Sequence, residues 1–312
     1  MWLLVDGILL LNKPKGMTSH DCVFKVRKLV KMKKVGHTGT LDPDVSGVLP
    51  ICLGRATKIV EYVTAANKTY EGEATIGIST TTEDASGEIV EEKKVDRPIT
   101  KDEVLDVLHS LTGEIIQTPP MYSAVKVNGK RLYEYARQGL VIERPSRKIT
   151  IHHLELLSDI VQKEGTVSFR FRVTCSKGTY VRTLAVQMGE KLGYPSHMSD
   201  LKRTSSGDFT LNQCMTLEEL EQHVQNETIG EHLLTIEDAV SHLRKILIND
   251  KVAEKVKNGS VFPVPKELNE ISTGEPIAIL HNGEILAIYQ RHPEKTQLIK
   301  PIKVLVNNQE LK

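Results

Sequence analysis

The sequence of 312 residues lacks the features that define several large classes of protein. Its four cysteines stand far apart and include no Cys-x-x-Cys pair, so we expect neither a disulfide framework nor a structural zinc site. It contains no Gly-x-Gly-x-x-Gly motif and no P-loop motif, which argues against the common nucleotide-binding folds. The apolar patch at residues 2–5 is interrupted by Asp6 and is too short to cross a bilayer. We therefore expect no signal peptide, no membrane anchor and a cytoplasmic location.

The length of the chain predicts two domains, and its charge distribution predicts one basic face. At 312 residues, 39% of them hydrophobic, the chain exceeds the usual size of one domain, so we expect a large domain and a smaller one. The net charge of +1 is unevenly distributed: residues 13–34 hold eight lysines and arginines, whereas residues 214–240 hold seven acids and neither basic residue. Residues 126–148 are also basic. Such runs are usually solvated faces, so they indicate RNA binding only together with the motifs below.

A turn braced by glycine and proline, at residues 36–50, contains the most informative side chain of the sequence. Its glycines permit backbone angles that other residues avoid. Pro43 fixes its own φ and biases Asp42 towards an extended conformation. The fold then dictates where the Asp42 carboxylate points. An isolated Asp-Pro pair in Gly-rich sequence is usually only a loop, and it is the sequence around it, given below, that makes Asp42 the candidate catalytic group.

Helix and strand signals do not alternate regularly, which predicts an α+β domain with a mixed, largely antiparallel sheet flanked by helices. A capping box from Thr100 to Glu103 and a stop at Gly193 mark two of the helices, and Asn128-Gly129 marks a tight hairpin turn. Predicted strands lie at residues 7–11, 48–53, 71–79, 87–91, 146–157 and 166–175. Predicted helices lie at residues 19–30 (capped by Ser19), 56–65, 100–111 and 180–192.

An acidic helical segment, capped by a Thr216 to Glu219 box, marks a domain boundary between about residues 215 and 245. We assign residues 1–240 to the first domain and residues 241–312 to the second. Short strands separated by Gly, Asn and Pro turns are predicted in the second domain, which is therefore a compact β module. These strands lie at residues 245–248, 261–264, 276–280, 285–289 and 297–306.

Several characteristic blocks of sequence are spread over residues 7–215. They are GILLLNKPKGMTS (7–19), GHTGTLDPDVSGVLP (36–50), ICLGRATK (51–58), KTY (68–70), PPMYSAVK (119–126), GTYVRTL (178–184) and DLKRT (200–204). Together these blocks resemble the TruB-type tRNA pseudouridine synthases. Residues 258–263 and 279–288 more weakly resemble the PUA-type RNA-binding domain that often follows such a core.

The resemblance implies an isomerase that breaks the glycosidic bond of a flipped-out uridine in tRNA and rejoins the uracil through C5. This reaction needs a carboxylate and a closed pocket, but no metal and no cofactor. The resemblance assigns the carboxylate to Asp42, its ion-pair partner to Arg182 and the aromatic that stacks on the flipped base to Tyr70. It also assigns Tyr180 to the pocket, Leu201 to an apolar pocket wall and His37 to a contact with the substrate near the flipped nucleotide.

The same resemblance predicts how RNA is held. Lys13, Lys58, Lys202 and Arg203 are candidate phosphate contacts, which add affinity without sequence choice. Residues 121–148, named here the gripping loop, resemble the mobile loop of the family that closes over the RNA arm. We expect the T-arm of tRNA as the partner, with the uridine at position 55 as the target, and a monomeric enzyme.

Two alternative functions remain open from the sequence. Asp42-Pro43-Asp44-Val45 imitates the Asp-x-Asp-x-Val signature of a haloacid dehalogenase type phosphotransferase, although that signature belongs at the end of a strand in a doubly wound sheet. The other alternative is a non-catalytic RNA-binding protein in which the Asp42 turn is structural. Magnesium-dependent release of phosphate would favour the first, and retained RNA affinity without turnover would favour the second.

Overall fold

The computed structural model describes residues 5–64, 66–268 and 270–307, so the apolar residues 2–4 lie outside the described part. Counted over those residues, the strands form a ten-stranded sheet, a five-stranded sheet and two small two-stranded sheets. The α+β prediction is confirmed: a mixed sheet with helices is followed by a β-rich C-terminal domain. None of the helices in the described ranges is long and apolar enough to cross a membrane.

The strands follow one another along the chain with helices between them. In the first part of the chain they are β1 (Gly7–Lys13), β2 (Val35–His37), β3 (Ser46–Leu53), β4 (Lys68–Ile76), β5 (Ile78–Thr80), β6 (Ile89–Glu92), β7 (Gly113–Gln117), β8 (Lys126–Val127), β9 (Lys130–Arg131), β10 (Arg147–Leu156), β11 (Val161–Lys163), β12 (Thr166–Cys175), β13 (Ser196–Ser206) and β14 (Phe209–Thr210). In the C-terminal domain they are β15 (Arg244–Leu247), β16 (Phe262–Pro263), β17 (Ile277–His281), β18 (Glu284–Arg291) and β19 (Leu298–Val304).

The helices are mostly short. They are α1 (Ser19–Val30), α2 (Val60–Thr64), α3 (Lys101–Ser110), α4 (Leu132–Ala136), α5 (Val181–Leu192), α6 (Leu217–Gln225), α7 (Ile236–Ala239) and α8 (Asp250–Lys257), with 3₁₀ turns at Gly54–Ile59, Leu211–Gln213, Ile229–His232 and Lys266–Leu268.

Local sequence signals explain where several of these elements begin and end. The capping box of α3 forms between Thr100 and Glu103 as predicted, and α5 ends at Gly193 in the left-handed region, with φ of 85°. One prediction is off by a residue: α1 is capped by Thr18, not by Ser19. Thr18 and Asp21 form a reciprocal capping box, which leaves the Ser19 hydroxyl for a different contact.

The large sheet brings distant segments of the chain side by side. Its main path runs β1-β3-β13-β4-β12-β10-β7, and only the β3–β13 pair is parallel. The single strand predicted at residues 71–79 is divided into β4 and the short strand β5, and β6 pairs with β5. β12 alternates strictly, burying Val167, Phe169, Phe171, Val173 and Cys175 towards the core. Within the sheet, β12 is paired along both of its edges, with β4 on one side and β10 on the other.

The C-terminal domain differs from its prediction in one element. Helix α8 was not predicted, because its eight residues are mostly charged and only Ala253 and Val256 are buried. Asn249 caps it by accepting from the amide of Val252. The five-stranded sheet of this domain packs on β1 through a shared apolar cluster that includes Ile8 and Ile288.

Candidate active site

Asp42 lies in a short connection between β2 and β3, residues 38–45, named here the Asp42 loop. Two apolar side chains of the loop, Leu41 and Val45, are buried in the main core. The Ser19 hydroxyl accepts a hydrogen bond from the Leu41 amide at 2.8 Å and donates one to the Leu41 carbonyl at 3.1 Å. The start of helix α1 therefore fixes the backbone next to Asp42.

Lys13 ties the loop to the end of β1 and is completely buried. Its Nζ donates to the carbonyl of Pro43 at 2.9 Å and also to the carbonyls of Pro14 and Met17. Burial lowers the pKa of this amine. The predicted contact of Lys13 with an RNA phosphate is therefore corrected, because an ammonium that is buried against backbone carbonyls cannot reach a phosphate.

Arg203, on β13, also belongs to the interior. Its guanidinium is 1% exposed and donates from Nε to the Val48 carbonyl at 2.7 Å and from Nη2 to the Gly39 carbonyl at 3.3 Å. Next to it, Gly47 has φ of 112°, and a Cβ there would lie 2.1 Å from the Arg203 carbonyl oxygen. The predicted phosphate contact of Arg203 is corrected for the same reason as that of Lys13.

Asp42 and Arg182 form the ion pair that the resemblance implies. Arg182 Nε lies 3.0 Å from Asp42 Oδ2. The guanidinium is buried in the first turn of α5, whereas 43% of the Asp42 side chain is exposed, so solvent reaches the carboxylate. Arg182 also donates to the carbonyls of Thr82 at 2.7 Å and Tyr122 at 3.0 Å, which fixes the plane of its guanidinium.

A second carboxylate, that of Asp84, was not predicted to be at the site. It lies in the turn between β5 and β6, and its Oδ2 is 3.7 Å from Arg182 Nη1. Its Oδ1 accepts from the Thr82 hydroxyl at 2.7 Å and from the Ser86 hydroxyl at 2.6 Å. The sequence around it signals only a polar turn, so nothing local connects Asp84 with Asp42.

Opposing influences act on the ionisation of Asp42. Burial raises the pKa of its carboxyl, the Arg182 guanidinium lowers it, and the nearby Asp84 raises it further. The net direction is upward. The ion pair with Arg182 favours the ionised form of the Asp42 carboxyl and so opposes the effect of its burial.

Tyr70, on β4, lies near Asp42 and Arg203. Burial raises the pKa of its hydroxyl, the neighbouring Arg203 lowers it, and Asp42 is close enough to raise it further. Leu201, only 6% exposed, lies across from Gly72 on β4. A Cβ on Gly72 would lie 2.9 Å from Leu201 Cδ1, so the glycine leaves the room that the leucine fills.

His37 ends strand β2 at the entrance to the Asp42 loop. Its Nδ1 accepts from the amide of Gly39 at 3.3 Å. Burial lowers the pKa of the imidazole, and the charges of Arg203 and His20 lower it further. The side chain is therefore neutral at pH 7, which suits a contact with the substrate better than a role as a charged partner.

Tyr180, the N-cap residue of α5, is held by side chains that were not predicted. The buried Gln117 accepts from its amide at 3.0 Å and donates to its carbonyl at 3.2 Å. The Arg147 guanidinium lies 5.0 Å from the centroid of the Tyr180 ring, in cation–π distance. Gln117 therefore fixes the backbone at the start of α5, two residues before Arg182.

Of the remaining basic residues, Lys58 is bonded to backbone carbonyls, whereas Lys202 and those of the gripping loop are partly or fully exposed. Lys58 donates to the carbonyls of Val304 at 3.0 Å and Leu305 at 3.4 Å, so it joins the two domains in this structure. Lys202 is partly exposed beside Asn12 and Glu218. The gripping loop presents a set of exposed basic side chains, Lys126, Lys130, Arg131, Arg137 and Lys148.

The charged oxygen and nitrogen groups of the site are paired with one another, as in the contacts of Arg182 with Asp42 and Asp84. Within residues 5–64, 66–268 and 270–307, no three His, Cys, Asp or Glu side chains converge in a way that could hold a metal ion. The arrangement offers a partly exposed carboxylate on Asp42, with the buried guanidinium of Arg182 paired to it and Tyr70 nearby.

Comparison with known proteins places the chain in a family. The sequence model of the TruB family pseudouridylate synthase (N terminal domain) matches residues 27–181, and that of the tRNA pseudouridylate synthase B C-terminal domain matches residues 182–247. The chain is 60% identical over 311 residues to tRNA pseudouridine synthase B of Bacillus thuringiensis (strain Al Hakam), covering 99% of this chain and 100% of that relative. The chain belongs to the TruB family of pseudouridylate synthases.

Other relatives of this TruB-family enzyme cover nearly its whole length. tRNA pseudouridine synthase B of Bacillus pumilus (strain SAFR-032) is 59% identical over 303 residues, which is 97% of this chain and 98% of the relative. A solved Cbf5-Nop10-Gar1 complex superimposes with a TM-score of 0.73 at 29% identity, over 97% of this chain and 86% of that chain. An H/ACA RNP bound to a substrate RNA containing 2'-deoxyuridine gives 0.70 at 27% identity, over 96% and 85%.

The family assignment makes the protein an isomerase and disfavours both alternatives that the sequence left open. The phosphotransferase alternative also fails on geometry, because its nucleophile should end a parallel strand. Asp42 instead lies between two antiparallel strands, β2 and β3.

Proposed function

We propose that this pseudouridine synthase converts the uridine at position 55, in the T-loop of tRNA, into pseudouridine, with Asp42 as the catalytic carboxylate. The observation that carries the proposal is the 3.0 Å ion pair between Asp42 and Arg182, in which the carboxylate is partly exposed and lies near Tyr70. The two relatives of nearly identical length, both tRNA pseudouridine synthase B, supply the substrate class.

The proposed reaction begins with extrusion of the nucleotide from the T-loop. Unstacking a base costs a few kcal/mol, which contacts elsewhere on the RNA offset. Tyr70 stacks on the flipped uracil, Leu201 closes the apolar wall and Tyr180 borders the pocket. His37, neutral at pH 7, contacts the RNA beside the vacated position.

Asp42 then acts on the extruded uridine while Arg182 keeps its carboxylate ionised and oriented. The glycosidic bond from C1′ to N1 breaks, the uracil turns within the closed pocket, and a bond from C1′ to C5 forms. The proton leaves C5 and N1 gains one, so product and substrate have the same atoms and nothing needs to be supplied.

RNA outside the pocket is held by exposed positive charge. The basic side chains of the gripping loop and of helix α1, together with Lys202, bind phosphates of the T-arm. Residues 241–312, as a PUA-like domain, extend this surface. Lys58 contributes through the join between the domains rather than as a free phosphate contact. The enzyme acts on tRNA as a monomer in the cytoplasm.

The test uses transcribed tRNA labelled with tritium at C5 of uridine. Isomerisation at one site releases one tritium per tRNA into water, and carbodiimide mapping by primer extension locates the product. A second transcript with cytidine at position 55 is the matched control. We expect release from the first transcript alone. Equal release from both would place the target elsewhere, and release from neither would refute the proposed function.

A further inference from the structure

Arg203 is a buried charge that the proposed reaction does not yet use. Its side chain is 1% exposed, and it donates hydrogen bonds to two backbone carbonyl oxygens. Removing a charge from water is costly unless fixed dipoles compensate for it. Arginine can satisfy several carbonyls at set angles, because its donors form a rigid planar fork.

The two carbonyls that Arg203 binds lie on opposite sides of Asp42 in the sequence. Gly39 precedes Asp42 by three residues and Val48 follows it by six. One guanidinium therefore bridges the entrance and the exit of the Asp42 loop. Its Nη1 also lies 3.6 Å from the position that a Cβ of Gly39 would occupy, so the planar group packs against the loop backbone.

The strand pairing of Arg203 places its backbone between β3, which follows the Asp42 loop, and β4, which carries Tyr70. In β13, Arg203 pairs with Gly47 of β3 on one side and with Tyr70 of β4 on the other. Its guanidinium is close enough to the Tyr70 hydroxyl to lower the pKa of that group. The Arg203 side chain therefore lies next to both the Asp42 loop and Tyr70.

We propose, on the basis of the proposed function, that Arg203 is a positioning residue for the isomerisation. It holds both limbs of the Asp42 loop at a fixed distance from Tyr70, so that the carboxylate meets the nucleotide that stacks on the tyrosine. It acts through these groups and does not touch the RNA. A misplacement of about 1 Å at a reacting group costs on the order of 100-fold in rate.

The test compares Arg203→Met and Arg203→Lys with Arg172→Met in the same tritium assay. Arg172 ties β12 to β4 and β10 through Glu71 and Glu155, so its loss weakens the same sheet away from the Asp42 loop. Single-turnover rates, with enzyme in excess, separate the chemical step from binding. Affinity for tRNA is measured by filter binding and folding by thermal unfolding.

We expect Arg203→Met to lower the single-turnover rate by about 100-fold, with the affinity for tRNA changed less than about threefold. Arg203→Lys keeps the charge but not the fork, so we expect about a tenfold loss. Arg172→Met should keep its rate within about twofold despite a lower melting temperature.

Three outcomes would overturn the inference. One is a wild-type rate in Arg203→Lys or in a folded Arg203→Met variant. Another is a loss of affinity without a loss of rate, which would make Arg203 an RNA contact. The third is a rate loss in Arg172→Met equal to that in Arg203→Met, which would make the effect one of general stability. If Arg203→Met does not fold, Arg203→Lys decides. Failure of the wild-type enzyme to release tritium would instead refute the proposed function.

Discussion

The Asp42 loop and the gripping loop both contact Arg182, but the fold holds them in opposite ways. The Asp42 loop is bound by side chains from three separate elements, Ser19, Lys13 and Arg203. The gripping loop is held largely by its own turns, such as the bond from the Leu132 amide to the Val125 carbonyl at 2.8 Å. A carboxylate that must meet a precise atom is fixed by the core, whereas a loop held by local bonds can follow the RNA.

Arg182 joins the two regions, so its replacement disturbs both loops at once. It contacts Asp42 through Nε and the Tyr122 carbonyl of the gripping loop through Nη2. We expect Arg182→Met to lower the single-turnover rate by about 10²–10³-fold, since it removes a preorganised charge beside the reacting carboxylate.

The same variant gives a signed prediction for pH. Activity requires the ionised form of Asp42, so the rate falls as the pH drops through the pKa of this carboxyl, which burial has raised. Arg182 opposes that rise, so its loss raises the pKa further. The acid limb of the rate profile should therefore move to higher pH in Arg182→Met, and an unmoved limb would contradict the account.

Glycine substitutions sharpen the comparison through backbone geometry. Gly47, next to the Asp42 loop, has φ of 112° and no room for a Cβ, whereas Gly129, in the gripping loop, has φ of 82° and open space around it. We expect Gly47→Ala to cost at least about 3 kcal/mol of unfolding free energy, from strain and overlap together. Gly129→Ala should cost about 1 kcal/mol, from strain alone. Denaturant unfolding measures both, and equal costs would break the comparison.

A matched pair of leucines tests the packing of the loops. Leu41 in the Asp42 loop is 4% exposed, and Leu140 in the gripping loop is 50% exposed. We expect Leu41→Ala to cost about 2–5 kcal/mol and Leu140→Ala about 0.5 kcal/mol or less. Thermal unfolding of the two variants side by side is sufficient. A Leu140→Ala variant as unstable as Leu41→Ala would show that the gripping loop is part of the core.

The smallest expected effect is on RNA affinity. Lys130, at the exposed tip of the gripping loop, is one of its basic side chains. We expect Lys130→Ala to reduce the salt slope of tRNA binding by about 1 and to leave the single-turnover rate unchanged. Lys101, exposed at the start of α3 and outside both basic segments, is the control, and Lys101→Ala should leave the slope unchanged.

Local signals in the sequence account for much of the fold. Alternation located β12, a capping box located α3, and the Asn128-Gly129 pair located the hairpin of β8 and β9, because each signal involves residues a few positions apart. Helix α8 was not predicted, because its charged sequence offers few apolar positions from which a helical period could be recognised.

The site was predictable in part, and the limit was distance along the chain. Asp42, Tyr70 and Arg182 are brought together as the family motifs imply. The burial of Arg203 was not predictable, because it depends on a carbonyl 155 residues away at Val48. The position of Asp84 was not predictable for the same reason, since its partner Arg182 lies far along the chain. A lysine or arginine in a motif is ambiguous until the fold shows whether carbonyls or solvent surround it.

One measurement tests the central claim, that a single carboxylate fixed by the core performs the chemistry. Tritium release from C5-labelled tRNA is followed for Asp42→Asn and for Asp44→Asn, an exposed acid in the same loop. The account predicts a loss of about 10⁴-fold or more in rate for Asp42→Asn, with tRNA still bound, and a rate near that of the wild type for Asp44→Asn. Release by Asp42→Asn at the wild-type rate would contradict it.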